Sequence, residues 1–429
     1  LHMNNIFKNT TLGLQHVLEM YAGAVIVPLI VGGALGLSSE ELTYLVAIDI
    51  LMSGVATILQ VMSNRFFGIG LPVVLGCTFT AVGPMIAIGG DYGISAIYGA
   101  IIVSGIIVIL ISGFFGKLVR FFPPVVTGSV VTIIGITLIP VAINNMGGGQ
   151  GAEDFGSIQN VLLSFGTLIF IVLLYRFSTG FVKAISILIG IIGGTVAAYF
   201  MGILDFTAVK EADVFHMIQP LYFGMPTFEW SPILTMTLVA IVSLVESTGV
   251  YFALGDMLGK KIEKKDLTKG YRAEGIAVVL GGFFNSFPYT TFSQNVGLMQ
   301  ISGVKTRKVI YIAGGMLIFL GFIPKISSLT TIIPEAVLGG AMIAMFGMII
   351  SQGIKMLSTI ISDSDSPDNA MIIACSIGIG LGVTVVPDLF ISLPESVRIL
   401  TSNGIVAGSF TAIVLNILFN MLPTRKKKQ

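Results

Sequence analysis

Residues 284–303 read F-N-S-F-P-Y-T-T-F-S-Q-N-V-G-L-M-Q-I-S-G, and this stretch decides the fold. It lies in a strongly apolar chain, yet its composition does not suit a continuous membrane-spanning helix. Pro288 and Gly297 interrupt helical backbone, residues 290–292 favour extended backbone, and 294–295 are polar amides. Because lipid cannot satisfy free backbone groups, the stretch must be buried in protein or line a cavity. We interpret it as lining a substrate cavity; a polar loop that only packs helices is the alternative.

The composition around this stretch predicts a polytopic membrane protein. Of 429 residues, 54% are hydrophobic and only 10% are charged, whereas about a quarter of a soluble domain is charged. Cys77 and Cys375 both lie in apolar stretches, so we expect free thiols and no disulfide or metal framework. No cleavable signal peptide is expected. The net charge of +1 gives no indication of nucleic-acid binding.

Apolar runs along the chain predict fourteen membrane segments. Their approximate ranges are 12–31, 41–62, 68–88, 94–115, 124–143, 158–175, 183–203, 230–254, 271–285, 289–304, 307–323, 331–352, 369–387 and 403–423. Segments nine and ten are the shortest, and the break between them is the opening stretch.

The distribution of basic residues supports fourteen crossings with both termini cytoplasmic. With that count, 20 of the 23 lysine and arginine residues fall on one side, including the tail Arg425–Lys428. Only Lys210, Lys325 and Arg398 fall on the other side. Cytoplasmic loops of membrane proteins carry such an excess.

An internal repeat divides the segments into two groups of seven. T-F-T-A-V-G-P-M at 78–85 is similar to T-F-S-Q-N-V-G-L-M at 291–299, and P-P-V-V-T-G at 123–128 is similar to P-E-A-V-L-G at 334–339. The matches occur in order, about half the chain apart. Because seven is odd, the second half is inverted relative to the first, and broken segments three and ten would meet near the bilayer midplane.

Acids within membrane segments are functional candidates, because burying a charge in lipid is costly. Four acids qualify: Glu19, Asp49, Glu246 and Glu274. Glu246 has apolar neighbours on both sides; it could accept hydrogen bonds from ring N–H groups or bind a proton, and a structural hydrogen bond is the alternative. Glu274 follows Arg272 near the membrane edge, where a salt bridge is the alternative. For Asp49 and Glu19 a structural role is the favoured interpretation.

His16 shares a helical face with Glu19, and it could relay protons or simply bond a neighbouring helix.

The broken segments also offer polar and aromatic groups suited to a flat heterocycle. The amide of Gln294 both donates and accepts hydrogen bonds, so a Glu–Gln pair fits alternating N–H and C=O groups. Phe79 and Phe292 could stack on such a ring or serve only as packing. No phosphate-binding loop is present, so ATP-driven transport is not indicated, and no cofactor is expected. No metalloprotease motif is present either; we expect a protein that is not an enzyme, with an intramembrane enzyme as a further alternative.

Several motifs resemble those of the nucleobase–ascorbate transporters, the second type of nucleobase:cation symporters. The clearest is Q-N-V-G-L-M-Q-I-S-G at 294–303, and Q-H at 15–16, E-S-T-G at 246–249 and A-E-G at 273–275 agree with it. The similarity covers nearly the whole chain and is closest to bacterial xanthine permeases.

The resemblance implies an all-α membrane protein of fourteen segments in two inverted repeats, with short strands in segments three and ten. Segments 1–4 (8–120) and 8–11 (226–328) would form a core domain. Segments 5–7 (121–225) and 12–14 (329–423) would form a gate domain. It further implies proton-coupled uptake of a purine across the cytoplasmic membrane by an elevator-type movement, in a homodimer embedded in the lipid bilayer.

The resemblance also implies roles for individual residues. Glu246 and Gln294 would bind the purine. The backbones of Phe79 and Ser293, together with the ring of Phe292, would frame it. The remaining implied positions are Asn295 and His16, which would support the site, and Glu274, which would serve proton coupling.

Two departures from the family pattern leave the substrate and the proton pathway open. Thr80 stands where xanthine carriers often have Asn, so uric acid is an alternative substrate. Val250 stands where many relatives have an acid or His, which shifts the proposed coupling role toward Glu274. An anion transporter of the same architecture is a further alternative, although an acid beside Gln294 argues against it.

Overall fold

The computed structural model describes residues 2–361 and 367–423, and the chain is mostly helical. The basic tail Arg425–Lys428 lies outside the described residues. The helices within that part of the chain are α1 His2–Ala34, α2 Ser39–Val61, α3 Val82–Tyr92, α4 Ile94–Ile111, α5 Phe115–Leu118, α6 Pro124–Met146, α7 Ile158–Phe177, α8 Gly180–Ala184, α9 Ser186–Phe200, α10 Thr207–Glu211, α11 Trp230–Leu258, α12 Lys264–Phe283, α13 Ser293–Ser302, α14 Arg307–Gly321, α15 Pro324–Thr331, α16 Glu335–Ile361, α17 Pro367–Val385, α18 Glu395–Thr401 and α19 Gly404–Asn416. The strands are β1 Leu75–Cys77 and β2 Tyr289–Thr291.

Many of these helices are long and apolar enough to cross a membrane. Among the described residues nine meet that requirement, or ten if α14 and α15, which bend by 81° at their junction, form one span. The chain is therefore a multi-pass membrane protein. The count of fourteen segments stays a prediction, because α9 is short and predicted segments three and ten are part strand and part helix.

Contacts along the chain divide it into two compact units. The first unit comprises residues 1–113 and 141–345, and the second comprises 114–140 and 346–429. The boundaries of these two units differ from those of the core and gate domains expected from the sequence. Core and gate are defined by a proposed movement, so this division of the chain stays a prediction.

Glycines allow the helices of the first unit to approach closely. A Cβ on Gly54 of α2 would lie 2.5 Å from the carbonyl oxygen of Gly314 in α14. A Cβ on Gly105 of α4 would lie 3.0 Å from the carbonyl oxygen of Gly275 in α12. Side chains at these positions would separate the backbones, so small residues hold these two helix pairs together, as is common in membranes.

In the second unit, glycines also allow a close contact between two helices. In it α17 packs against α19, and a Cβ on Gly408 would lie 3.3 Å from the Cα atom of Gly380. No candidate functional residue predicted from the sequence lies in this unit.

Two stretches of the first unit form a short strand each, in the segments that follow the ends of α2 at Val61 and α12 at Phe283. Pro72 precedes β1 and Pro288 precedes β2, and proline supplies no N–H to continue a helix. The two strands pair antiparallel, with Leu75 opposite Thr291 and Cys77 opposite Tyr289. The backbone groups that lipid could not satisfy are therefore bonded to each other inside the protein.

Candidate functional site

The site is built on the strand pair of the first unit, which fixes the position of the residues that follow each strand. Beyond the ladder, the Phe292 N–H donates to the Val74 carbonyl at 2.9 Å and the Thr78 N–H donates to the Pro288 carbonyl at 3.0 Å. Each strand then turns into a helix: β1 leads through a 3₁₀ turn at Phe79–Ala81 into α3, and β2 leads into α13. Two helix N-termini thus begin beside one strand pair.

Phe79 and Phe292, the aromatic residues just beyond the strands, face each other across the site. Their ring planes differ by only 8°, and their centroids are 6.3 Å apart. The stacked pair Tyr44 and Tyr222 has centroids 3.8 Å apart, so Phe79 and Phe292 are parallel without being in direct face-to-face contact. Parallel rings at this separation offer flat apolar surfaces to a planar ligand.

Glycines determine where the two rings lie. A Cβ on Gly76 of β1 would collide with the Phe292 ring, so only glycine lets this ring lie across the strand. Gly23 of α1 touches both rings, since a Cβ there would be 3.2 Å from Cζ of Phe79 and 3.4 Å from Cε2 of Phe292. Sequence analysis did not identify Gly23, because nothing in a glycine-rich apolar helix marks one glycine as adjacent to distant aromatic rings.

The helix that follows β2 presents its first turn to the site. No side chain in the described part of the chain caps the N-terminus of α13, and uncapped N–H groups at a helix start can bind an acceptor on a ligand. Ser293 is half-buried and Gln294 is exposed in this first turn. At the other strand, by contrast, the Thr78 hydroxyl accepts a hydrogen bond from the Thr80 N–H at 3.2 Å, and Thr80 is buried.

Glu246 reaches the same region from α11. This helix contacts β2, α13 and the turn at Phe79–Ala81. Glu246 is half-buried, and the next residue, Ser247, bonds to β2, which ends three residues before Gln294. The acid and the amide predicted to act together therefore lie on elements that meet at the strand pair.

Glu274 lies in a buried network of hydroxyl groups. Its side chain is only 2% exposed, and Ser247 donates a short hydrogen bond to Oε1. Ser247 Oγ also lies 3.0 Å from Oγ1 of Thr290 and accepts a hydrogen bond of 3.1 Å from Thr291. Within the described part of the chain Glu274 has no ion-pair partner, because Lys265–Glu263 is the pair found there.

This network connects Glu274 to the strand pair, and Glu246 directly precedes Ser247 in α11. Ser247 is the common partner, and Glu274 lies within Coulombic range of Glu246. Oε2 of Glu274 is buried without a hydrogen bond in the described residues. Sequence analysis missed Ser247, Thr290 and Thr291 as partners of the acid, although the adjacent positions 246 and 247 were both within the quoted E-S-T-G motif.

Asn295 and His16 form a separate buried pair on the other side of α13. Nδ2 of Asn295 lies 3.0 Å from Nδ1 of His16 and donates to the His16 carbonyl at 3.0 Å. Asn295 is fully buried, whereas its neighbour Gln294 is exposed. The two amides therefore point in different directions. Gln294 lies on the exposed side of α13, and Asn295 lies in the contact between α13 and α1.

The two remaining acids do not join this arrangement. Oε2 of Glu19 is buried without a partner among the described residues. Asp49 accepts a hydrogen bond of 3.0 Å from the Tyr289 hydroxyl. The described residues hold no group of three or more His, Cys, Asp or Glu side chains that could bind a metal ion.

Comparisons with known proteins agree on one class of protein. A family model described as "Permease family" matches residues 7–389. The xanthine permease of Bacillus subtilis strain 168 is 66% identical over 424 residues, which cover 99% of this chain and 96% of that protein. The uric acid permease PucK of the same strain is 61% identical over 416 residues, covering 97% of this chain and 96% of that protein.

A solved structure shares the fold. The transmembrane domain of the cyanobacterial bicarbonate transporter BicA matches with a TM-score of 0.65, covering 89% of this chain and 97% of that domain. The sequence identity is 16%, so this likeness concerns the fold alone.

Proposed function

Because the chain belongs to this permease family, the nucleobase–ascorbate transporters, we propose that it imports xanthine across the cytoplasmic membrane together with protons. The purine would lie at the strand pair of the first unit. The observation that carries this proposal is the pair of parallel rings of Phe79 and Phe292, 6.3 Å apart, beside an acid and an exposed amide.

Each residue of the site would recognise a different part of the purine. The Glu246 carboxylate would accept hydrogen bonds from ring N–H groups, and the Gln294 amide would pair with a neighbouring N–H and C=O edge. Phe292 and Phe79 would contact the ring faces. The uncapped N–H groups at Ser293 would bind a carbonyl oxygen of the substrate.

Proton coupling would involve the buried acid next to this site. Glu274 shares Ser247 with the strand that carries the purine site, and it lies within Coulombic range of Glu246. Binding of a proton on one acid would therefore change the energy of the other. His16 and Asn295 would support the site by holding α13 on α1.

The movement that we propose is an elevator-type displacement of a core domain against a gate domain, in a homodimer with both termini cytoplasmic. Fourteen segments in two inverted repeats would underlie it. The two glycine-mediated helix pairs support such a repeat. Helices α2, α4, α12 and α14 correspond to predicted segments 2, 4, 9 and 11, and the repeat relates segment 2 to 9 and segment 4 to 11. It therefore converts the pair of α2 and α14 into the pair of α12 and α4. The pairing of β1 with β2, from segments three and ten, fits the same symmetry.

Uric acid is the second candidate substrate. Thr80 supports it, because this buried residue follows Phe79 at the position where the family pattern varies between purines. The similarity to a uric acid permease at 61% identity supports it as well. Transport of a small anion is a weaker alternative, because the acid Glu246 at the site would repel it.

Uptake of radiolabelled xanthine into cells or proteoliposomes tests the proposed function. We expect accumulation that a proton uncoupler abolishes, with competition by xanthine and uric acid and little competition by uracil. Glu246→Gln should abolish accumulation, while Asp256→Asn, at an exposed position of the same helix α11, should retain it. Uptake by the Glu246→Gln variant at the level of the Asp256→Asn control would refute the proposed site.

A further inference from the structure

A second buried carboxyl group lies on α2, away from the acids used above. Asp49 is fully buried, and its Oδ1 accepts a hydrogen bond of 3.0 Å from the Tyr289 hydroxyl of β2. Its other oxygen, Oδ2, has no hydrogen-bond partner among the described residues. The next two residues of β2, Thr290 and Thr291, contact Ser247 instead. Tyr289 therefore contacts Asp49, whereas the two threonines after it contact the Ser247 hydroxyl that donates to Glu274.

The groups around Asp49 offer it no positive charge. The titratable side chains that face it are the Tyr289 hydroxyl from β2, the Cys77 thiol from β1 and Tyr98 from α4. Ser286 contributes a further hydroxyl, which forms a short hydrogen bond with Tyr289. No Lys, Arg or His faces the carboxyl within the described part of the chain. A buried carboxylate without a cation is strongly destabilised relative to the neutral acid.

From this geometry we propose that Asp49, Tyr289 and Ser286 form a second proton-binding site of the carrier. The site holds its proton on Asp49 in the conformation described here, and it is distinct from Glu246 and Glu274. The inference rests on the proposed function, since a proton site matters only if the chain is a proton-coupled carrier. The unpartnered Oδ2 is the atom that holds the proton, because Oδ1 is occupied as the acceptor of the Tyr289 hydroxyl.

Loading and release of the proton can pass through the two hydroxyl groups. In loading, Tyr289 gives its hydroxyl proton to Asp49 while it takes one from Ser286, and Ser286 takes one from water. Rotation of the protonated carboxyl and of the hydroxyls then restores the bonds described above, and release reverses each transfer. Ser286 is itself fully buried here, so water must reach it in another conformation, and the proton stays enclosed in this one.

Because Tyr289 belongs to β2, the protonation of Asp49 acts on the strand that positions Phe292 and Gln294. A charged Asp49 would have to be hydrated, and hydration would require β2 to move away from α2. Release of this proton is therefore linked to a displacement of the purine site.

Asp49→Asn tests the proposal, because the amide keeps the shape of the side chain and cannot release a proton. Purified wild type and variant are placed in proteoliposomes, and two quantities are measured with labelled xanthine. Exchange against internal unlabelled xanthine reports binding and movement, and accumulation under an imposed inward proton gradient reports coupling. We expect the variant to exchange xanthine as the wild type does, but to lose accumulation and show a lower proton-to-purine ratio.

The matched control is Ser53→Ala, which changes a fully buried group of the same helix that has no partner in the described residues. This variant should exchange and accumulate as the wild type does. Unchanged accumulation and an unchanged proton-to-purine ratio in Asp49→Asn would overturn the proposal. If the wild type itself neither exchanges nor accumulates purine, the proposed function fails rather than the proton site.

A second measurement keeps the proposal testable if Asp49→Asn does not fold. Infrared spectroscopy of the wild type should show a carbonyl stretch of a protonated carboxyl group protected from exchange in deuterated buffer. Tyr289→Phe removes the hydroxyl that donates to Asp49, so this band should shift to higher frequency. A band that does not move in Tyr289→Phe, or the lack of any protected band, would contradict protonation of Asp49.

Discussion

Ser247 of α11 donates a hydrogen bond to Oε1 of Glu274 in α12, and the same hydroxyl contacts Thr290 and Thr291 of β2. One small side chain thus connects a buried acid to the strand that leads into the proposed purine site. Ser247 directly follows Glu246, so any movement of α11 at this point affects both acids.

Ser247→Ala should weaken coupling more than purine binding. The variant leaves a buried acceptor on Glu274 without a partner, which costs about 1–3 kcal/mol. We expect a lower thermal unfolding temperature, near-normal exchange of labelled xanthine and reduced accumulation under a proton gradient. Thr237→Ala is the control, because its hydroxyl donates to the Ile233 carbonyl one turn earlier in the same helix. An equal loss of accumulation in both variants would argue against a specific role for Ser247.

Asn295→Ala should destabilise the contact between α13 and α1. The substitution leaves Nδ1 and the carbonyl of the buried His16 without the amide that contacts both. We expect a loss of about 1–3 kcal/mol of stability and a higher KM for xanthine, since α13 carries Gln294. Thermal unfolding and uptake kinetics measure the two effects. Gln300→Ala, at an exposed position of α13, should change neither quantity, and an Asn295→Ala variant with wild-type stability would refute the supporting role.

Gly23→Ala should impair purine binding through the aromatic rings. The new methyl group would lie 3.2 Å from Phe79 and 3.4 Å from Phe292, so the rings must shift by a few tenths of an ångström. We expect KM for xanthine to rise by about tenfold, equivalent to about 1.4 kcal/mol, with little change in protein yield. Gly33→Ala is the matched control, because a Cβ at Gly33 of the same helix meets nothing within 4 Å. A wild-type KM in Gly23→Ala would show that the rings do not form the binding surface.

Thr80→Ala should alter the choice between xanthine and uric acid. Thr80 is buried beside Phe79, and its N–H is held by the Thr78 hydroxyl. Loss of its hydroxyl and methyl groups makes the site less polar and slightly larger. A change of this size typically alters the relative affinity for two related substrates, here xanthine and uric acid, by about 1–3 kcal/mol. Competition of labelled xanthine uptake by uric acid measures the effect. An unchanged ratio of inhibition constants would place the discrimination elsewhere.

The sequence predicted the broken segments well because their causes are local. Pro72 and Pro288 disfavour continuous helical backbone because proline supplies no N–H, and both precede the strands of the structure. The membrane class, the family and the main candidate residues also followed from local composition and short motifs. The division into core and gate domains and the roles of the individual site residues stay predictions.

The partners of the buried groups could not be predicted, because they depend on contacts between residues far apart in the chain. Asn295 and Gln294 are adjacent amides, yet one is fully buried against His16 and the other is exposed. Glu274 follows Arg272 in the sequence, which left a salt bridge as the alternative, but its carboxyl accepts a hydrogen bond from Ser247. Which face of a helix meets which neighbour is decided by tertiary packing.

The most direct test of the central claim is an experimental structure of the protein with xanthine bound. Our account predicts a planar density between Phe79 and Phe292, with the Glu246 carboxylate and the Gln294 amide both within hydrogen-bonding distance of the same purine. Xanthine bound elsewhere, or bound at the strand pair without contact to Glu246 and Gln294, would contradict it.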